Sequence, residues 1–163
     1  SDVCSSDLVH LVRREGTEAV YIDKVESTVS SIRMVSRVGS RIPLYCSGVG
    51  KALLAELPDP EIEDIWNSSE ITSLTPYTVT SLSDLMDRIR GVREAGYAMD
   101  DEENEEGVRC IAVSIPDYHK EPVYALSISA PVSRMTDARI AELSTDVLTF
   151  KKDLEKTLGF SRS

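Results

Sequence analysis

The cysteines and histidines are the side chains of this sequence best suited to nucleophilic, acid–base or metal chemistry. Cys110 and His119 could form a thiol–imidazole pair, the arrangement used by Cys-dependent enzymes. Cys110 lies within an apolar run, however, where a small thiol packs well, and no neighbouring residue indicates a lowered thiol pKa. We therefore predict no catalytic residue and keep a Cys-dependent enzyme as an alternative.

Motifs for phosphate or acyl chemistry are incomplete. Gly50-Lys51 lacks the first glycine of a P-loop, because Tyr45 stands there, and Ala52 replaces its Ser or Thr. Tyr45 also replaces the first glycine of a G-x-S-x-G motif around Ser47. The three cysteines form no C-x-x-C pair, which argues against a zinc site or a disulfide framework. We predict no cofactor and a reducing, cytoplasmic setting.

A run of acidic residues occupies positions 100–106 and could offer oxygen ligands to a cation. An EF-hand loop that starts at Asp100 would need glycine at its sixth position, where Glu105 stands. We therefore favour a solvated loop that ends at Gly107, and we predict no metal site.

The formal net charge of −10 excludes several partners for this chain. Nucleic acids and anionic membranes both bind clustered Lys and Arg, which the sequence lacks. No apolar run is long enough to span a bilayer, and the first residues do not have the pattern of a secretory signal. The acidic run accounts for much of the charge.

Two apolar runs in the second half have one face made of small residues. In residues 123–130 the small face is Ala125, Ser127 and Ser129, and in residues 108–115 it is Cys110, Ala112 and Ser114. If these faces coincide in an antiparallel hairpin, they leave room for a ligand over the sheet. A closely packed helix would use the same small residues, so this alternative stays open.

A helix N-terminus is the second candidate binding element. Ser47 and Gly48 lead into a predicted helix, whose first N–H groups and positive dipole end favour an anion. Backbone donors of this kind suit a small carboxylate. Serine hydroxyls and Asp100 could then bind the hydroxyl or keto groups of the same molecule.

The elements that must position these residues follow from hydrophobic periodicity. Extended patterns cover residues 9–14, 19–25, 32–38, 108–115 and 123–130, and helical patterns cover 47–57, 59–66, 82–95 and 140–154. The last helix has an apolar stripe formed by Ile140, Leu143, Val147, Phe150 and Leu154. Strands and helices come in blocks, which predicts an α+β domain with an antiparallel sheet and a long C-terminal amphipathic helix. Residues 1–7 read as a leader, tag or cloning scar.

Five segments together resemble the effector-binding domain of the IclR (isocitrate-lyase-regulator) family of transcription factors: 20–25, 36–44, 47–55, 100–113 and 126–129. The resemblance extends from about residue 9 to residue 160 and implies a GAF-like fold, a curved antiparallel sheet flanked by helices. The expected organisation is leader 1–7, effector-binding domain 8–160 and tail 161–163. The turn at 117–120 departs from the family because it has no glycine.

The resemblance also implies a site and partners. The expected effector-binding positions are Met34, Ile42, Gly48, Val49, Asp100, Cys110, Ser127 and Ser129. Met34 and Ile42 would form an apolar wall or be plain core, and Gly48 and Val49 would offer backbone N–H groups to a carboxylate. The remaining four would make polar contacts.

The implied effector is a small carboxylate, such as a keto acid or a sugar acid. The implied assembly is a homodimer or homotetramer that binds DNA through an N-terminal winged helix-turn-helix outside this chain, with no membrane contact. A GAF-like module that senses nucleotides or only dimerises is an alternative.

Overall fold

The strand order of the sheet places the two small-residue strands next to each other. The computed structural model describes residues 8–26, 38–117, 119 and 121–159. Its strands are β1 (Leu8–Glu15), β2 (Glu18–Glu26), β3 (Arg41–Pro43), β4 (Ala98–Asp101), β5 (Val108–Ile115) and β6 (Tyr124–Pro131). They form one curled antiparallel sheet in the order β3-β2-β1-β6-β5-β4.

Four helices cover the sheet. They are α1 (Gly48–Leu54), α2 (Asp59–Asn67), α3 (Leu82–Ala95) and α4 (Asp137–Thr157). One hydrophobic cluster joins α1, α2 and α3 to one face of the sheet, and a second joins α4 to the other face. The predicted α+β class, with a curved antiparallel sheet between helices, is therefore confirmed.

Two antiparallel hairpins, β1–β2 and β5–β6, make up four of the six strands of the sheet. β1 and β2 pair across Gly16, whose φ of 64° is the left-handed region that glycine adopts without strain. β5 and β6 pair antiparallel over their whole length. The strand predicted over 32–38 lies outside the described residues, apart from the exposed turn residue Val38.

The ends of α2 and α3 depend on their capping residues. Serine and glycine are residue types that favour the start and the end of a helix, and both act so in α3: Ser81 accepts a hydrogen bond from the Asp84 N–H, and Gly96 ends the helix with a φ of 86°. The pair Asp59-Pro60 predicts an N-cap residue followed by a first-turn proline, but this prediction is wrong, because the cap residue of α2 is Pro58. Asp59 lies in the first turn, where its carboxylate accepts a hydrogen bond from Arg93 over 2.8 Å.

The buried stripe of α4 differs from the predicted one in its second half. Ile140, Leu143 and Val147 are buried, but Phe150 is 44% exposed and Lys151 is buried in its place. The Lys151 ammonium donates to Ser114 Oγ over 2.9 Å and to Glu56 Oε1 over 3.3 Å. These partners make burial of the amine tolerable, since a buried charge needs a hydrogen-bonded counter-charge.

Among the described residues, no helix combines the length and the apolar character needed to cross a membrane.

Gly50 is the point at which α1 packs against the backbone that precedes it. A Cβ atom at this position would overlap the carbonyl oxygen and Cα of Leu44. Backbone atoms cannot move aside as a flexible side chain can, so residue 50 must remain without a side chain.

We predict that Gly50→Ala lowers the free energy of unfolding by about 3 kcal/mol or more, because it forces α1 away from Leu44. Gly91→Ala is the matched control, since a Cβ at Gly91 in α3 would meet nothing within 4 Å. Alanine there should raise stability by roughly 0.5–1 kcal/mol through helix propensity. Urea unfolding of both variants measures the difference, and equal effects would contradict the packing argument.

Candidate functional site

The register of β5 and β6 brings their small faces together. Cys110 pairs with Ser129, Ala112 with Ser127, and Ser114 with Ala125. Directly opposed residues of an antiparallel pair point to the same side of the sheet. The small side chains that the sequence places on two separate strands therefore form one continuous surface.

Two cross-strand rows extend this surface onto the neighbouring strands. One row consists of Asp100, Cys110, Ser129 and Leu8, and the next consists of Ala98, Ala112, Ser127 and His10. Cys110 Sγ and Ser129 Oγ lie 2.8 Å apart, within hydrogen-bond distance. Ser127 and Ser129 are each 3% exposed, so their hydroxyls lie inside the molecule. The polar groups thus converge on a buried patch.

The N-terminus of α1 lies over this patch. A Cβ on Gly48 would be 3.5 Å from the Cβ of Ala112 and 3.6 Å from the Cβ of Asp100, which is ordinary van der Waals contact. Ser47 caps the helix by accepting the Gly50 N–H over 3.0 Å. The N–H groups of Gly48 and Val49 belong to the first helical turn, so they have no acceptor within the helix. This end of α1 therefore brings backbone donors to the patch.

The acidic loop is held against the same site by two buried carboxylates, whereas Asp101, Glu105 and Glu106 are exposed as expected. Asp100 Oδ1 accepts the N–H groups of Glu103 over 2.8 Å and of Asn104 over 3.4 Å. Asp100 is 4% exposed and Glu103 is 1% exposed, and the Glu103 carboxylate forms an ion pair with Lys51. The expectation of a solvated loop is therefore wrong for these two carboxylates. Within the described ranges, no group of three or more His, Cys, Asp or Glu side chains is arranged to hold a metal ion.

Burial controls the titration of the site. It raises the pKa of Asp100 to about 6, and the nearby Lys51 ammonium partly opposes this rise. Burial also raises the pKa of the Cys110 thiol well above its ordinary value, although the Ser129 hydrogen bond acts in the opposite direction. A catalytic cysteine needs a lowered thiol pKa, so this shift runs opposite to the one that nucleophilic catalysis requires. His119, the other member of the alternative thiol–imidazole pair, is exposed in the turn beyond β5.

Six of the eight predicted site residues surround the patch. They are Gly48, Val49, Asp100, Cys110, Ser127 and Ser129. Ile42 is buried in the hydrophobic cluster under the helices, on β3, which is three strands away from β6. This matches the core role that the sequence left open. Met34 lies outside the described residues.

His10 and Tyr21 also face this side of the sheet, although neither was predicted from the sequence as a site residue. The two rings meet edge to face with centroids 5.0 Å apart, and His10 is 4% exposed. Burial raises the pKa of Tyr21, and the nearby Cys110 and Asp100 add to the rise. The alternation Leu8, His10, Val12 in β1 was the signal that could have placed His10 on the small face.

Two cavities open elsewhere, beside α3. One has a volume of about 220 Å³ and is lined by Lys51, Arg88 and Tyr97, among others. The other has a volume of about 240 Å³ and is lined by Ser114, Glu56 and Lys151, among others. Neither includes Ser127 or Ser129 in its lining.

A curled antiparallel sheet of this strand order with helices on both faces defines a GAF-like domain. The chain matches the family model "Bacterial transcriptional regulator IclR C-terminal" over residues 3–155. It therefore belongs to the IclR family of bacterial transcriptional regulators, as their C-terminal, effector-binding domain.

Three similar proteins illustrate the relationship. The chain is 37% identical over 151 residues to the HTH-type transcriptional regulator XynR of Escherichia coli K12, with coverage of 93% of this chain and 60% of XynR. It is 37% identical over 145 residues to the acetate operon repressor of Salmonella typhimurium, with coverage of 89% and 53%. The crystal structure of Thermotoga maritima IclR matches with a TM-score of 0.86 and 38% identity, covering 96% of this chain and 63% of that chain. The chain thus spans a little over half of these two curated relatives.

We predict that Asp100 makes stability depend on pH. Its pKa is about 6 in the folded protein against an ordinary 3.8, so the folded state binds this proton more tightly. The contribution of Asp100 to the free energy of unfolding therefore increases as the pH falls from about 6 to about 4. Asp100→Asn keeps an acceptor oxygen but cannot titrate. Urea unfolding should show wild type gaining about 2–3 kcal/mol relative to the variant over this range. A pH-independent difference would contradict the prediction.

Proposed function

We propose that this domain binds a small carboxylate effector that also carries hydroxyl or keto groups, such as a keto acid or a sugar acid. The observation that carries the proposal is the position of the α1 N-terminus, directly over a buried patch of serine, cysteine and aspartate side chains. Backbone donors and side-chain acceptors then face the same small volume. This combination suits a ligand with an anionic end and a polar, uncharged remainder.

Each part of the ligand would have its own partners. The Gly48 and Val49 N–H groups would bind the carboxylate, because free N–H groups and the helix dipole both favour negative charge. Ser127 and Ser129 can donate to a keto oxygen, and ionised Asp100 can accept from a hydroxyl. Cys110 would complete the polar wall beside Ser129. One relative is named the acetate operon repressor, and acetate is a small carboxylate, which agrees with this class of effector.

The proposal extends to the protein that contains this domain, with residues 8–160 as the effector-binding unit. DNA binding would reside in an N-terminal winged helix-turn-helix, because the net charge of this chain is −10 and does not suit a phosphate backbone. The effector would change the arrangement of a homodimer or homotetramer. It can shift that equilibrium only by the difference in its affinity for the two arrangements.

A panel of ligands tests the effector class. We expect pyruvate, glycerate or gluconate to raise the melting temperature, whereas cyclic AMP should have no effect. A ligand at about 100 times its Kd adds about 2.7 kcal/mol of stability, which corresponds to a shift of roughly 5–10 °C for a domain of this size. A response to the nucleotide and to none of the carboxylates would refute the proposal and favour a nucleotide sensor.

We predict that the double substitution Ser127→Ala and Ser129→Ala weakens carboxylate binding by about 10- to 100-fold, since each lost hydrogen bond costs about 0.5–1.5 kcal/mol. Ser114→Ala is the matched control, because Ser114 lies on the same face of β5 but bonds to Lys151 and Glu56. It should leave affinity unchanged even if stability falls. Isothermal titration calorimetry measures both, and equal losses of affinity would mean that the serines act only through folding.

A further inference from the structure

A buried ion pair joins the two halves of the candidate site. Lys51 lies in α1, and Glu103 lies in the loop between β4 and β5. Their side chains are 2% and 1% exposed, and Lys51 Nζ donates to Glu103 Oε2. Neither residue is among the predicted effector contacts. Both nevertheless belong to the segments that supply those contacts.

A backbone hydrogen bond connects each member of the pair to a residue of the site. On the helix side, the Lys51 N–H donates to the Ser47 carbonyl over 3.0 Å, and Ser47 is the residue that caps α1. On the loop side, the Glu103 N–H donates to Asp100 Oδ1 over 2.8 Å. A change in the distance between the two side chains would therefore move the helix N-terminus relative to Asp100.

The surroundings of Glu103 fix the loop from the other side as well. Thr78 Oγ1 donates to the Glu103 carbonyl over 2.6 Å, and Arg88 of α3 lies 3.5 Å from the Glu103 carboxylate. Glu103 Oε1, in contrast, has no hydrogen-bond partner within the described part of the chain. Two charged side chains are therefore buried here, and the hydrogen bonds that would offset their loss of hydration are incomplete.

Stability alone is a poor explanation for such a pair. Desolvation of two charges commonly offsets their attraction, so apolar residues of similar volume would hold the same segments at equal or lower free energy. What apolar residues do not supply is a directional contact that fixes one helix against one loop. The pair is therefore better explained by the geometry that it imposes.

We propose that Lys51 and Glu103 are positioning residues of the effector site, which hold the N–H groups of Gly48 and Val49 at a fixed distance from Asp100. The inference rests on the proposed function, since that distance has to match a ligand with a carboxylate and a hydroxyl. The pair itself makes no contact with the effector.

The test separates positioning from stability with the double variant Lys51→Met/Glu103→Leu, which removes both charges and leaves neither unpaired. We expect a melting temperature close to that of wild type, but an affinity for gluconate or glycerate lower by about tenfold or more. Lys151→Met is the matched control, because Lys151 is also a buried lysine with a glutamate partner, and its contacts are Glu56, beyond the C-terminal end of α1, and Ser114 of β5. Its affinity should stay within about twofold of wild type. Wild-type affinity in a folded double variant would overturn the proposal.

Glu103→Gln provides a second variant of nearly equal volume in case the double variant does not fold. It should weaken gluconate binding by about fivefold or more, and an unchanged affinity would overturn the proposal in the same way.

An NMR measurement without ligand distinguishes failure of this inference from failure of the proposed function. The amide resonances of Gly48, Val49 and Asp100 should shift in Glu103→Gln and stay unchanged in Lys151→Met. Unchanged resonances in Glu103→Gln would overturn the positioning role. If they shift while wild type binds no carboxylate, only the effector class is wrong.

Discussion

The close packing of α1 on the sheet is the constraint on which the rest of the structure depends. All seven residues of this helix are buried, which requires small side chains beneath it and no side chain where it meets Leu44. Ala112 meets the first requirement and Gly50 the second. Because α1 cannot move outward without exposing an apolar face, its N-terminus is held close to Ala112 and Asp100, and Glu56, just beyond its other end, bonds to Ser114.

The parts of the fold that the sequence predicts are those in which local signals agree. β1 and β2 combine alternation with a glycine turn, and α3 combines a helical period with a serine cap and a final glycine. The small faces of β5 and β6 could be predicted as a shared surface because strand alternation fixes which residues lie together, and the hairpin register then aligned them. The choice between helix packing and a ligand could not be made from the sequence, because small residues serve both: α1 packs close to Ala112, and Ser127 and Ser129 lie on the same face of the sheet.

The features that sequence reasoning missed depend on partners far away in the chain. β4 is four residues long and contains two aspartates, so its composition indicates a loop. Asp100 and Glu103 look like solvated residues until Lys51, about fifty positions earlier, supplies the opposite charge. Lys151 breaks the apolar stripe of α4 for the same reason, since only the folded structure brings Ser114 and Glu56 to its ammonium. Buried charges are stabilised by tertiary contacts, which periodicity does not record.

The short edge strand β4 bears on how the isolated domain behaves at high concentration. An open sheet edge can recruit the backbone of another molecule, which is a common route to disordered association. Here the edge offers only Ala98–Asp101, with an exposed carboxylate at Asp101, and the chain then turns away at Glu102 with a φ of 61°. A segment that short and that charged is a poor template for strand addition. The same aspartate-rich strand that carries Asp100 to the candidate site therefore also protects this side of the sheet against aggregation.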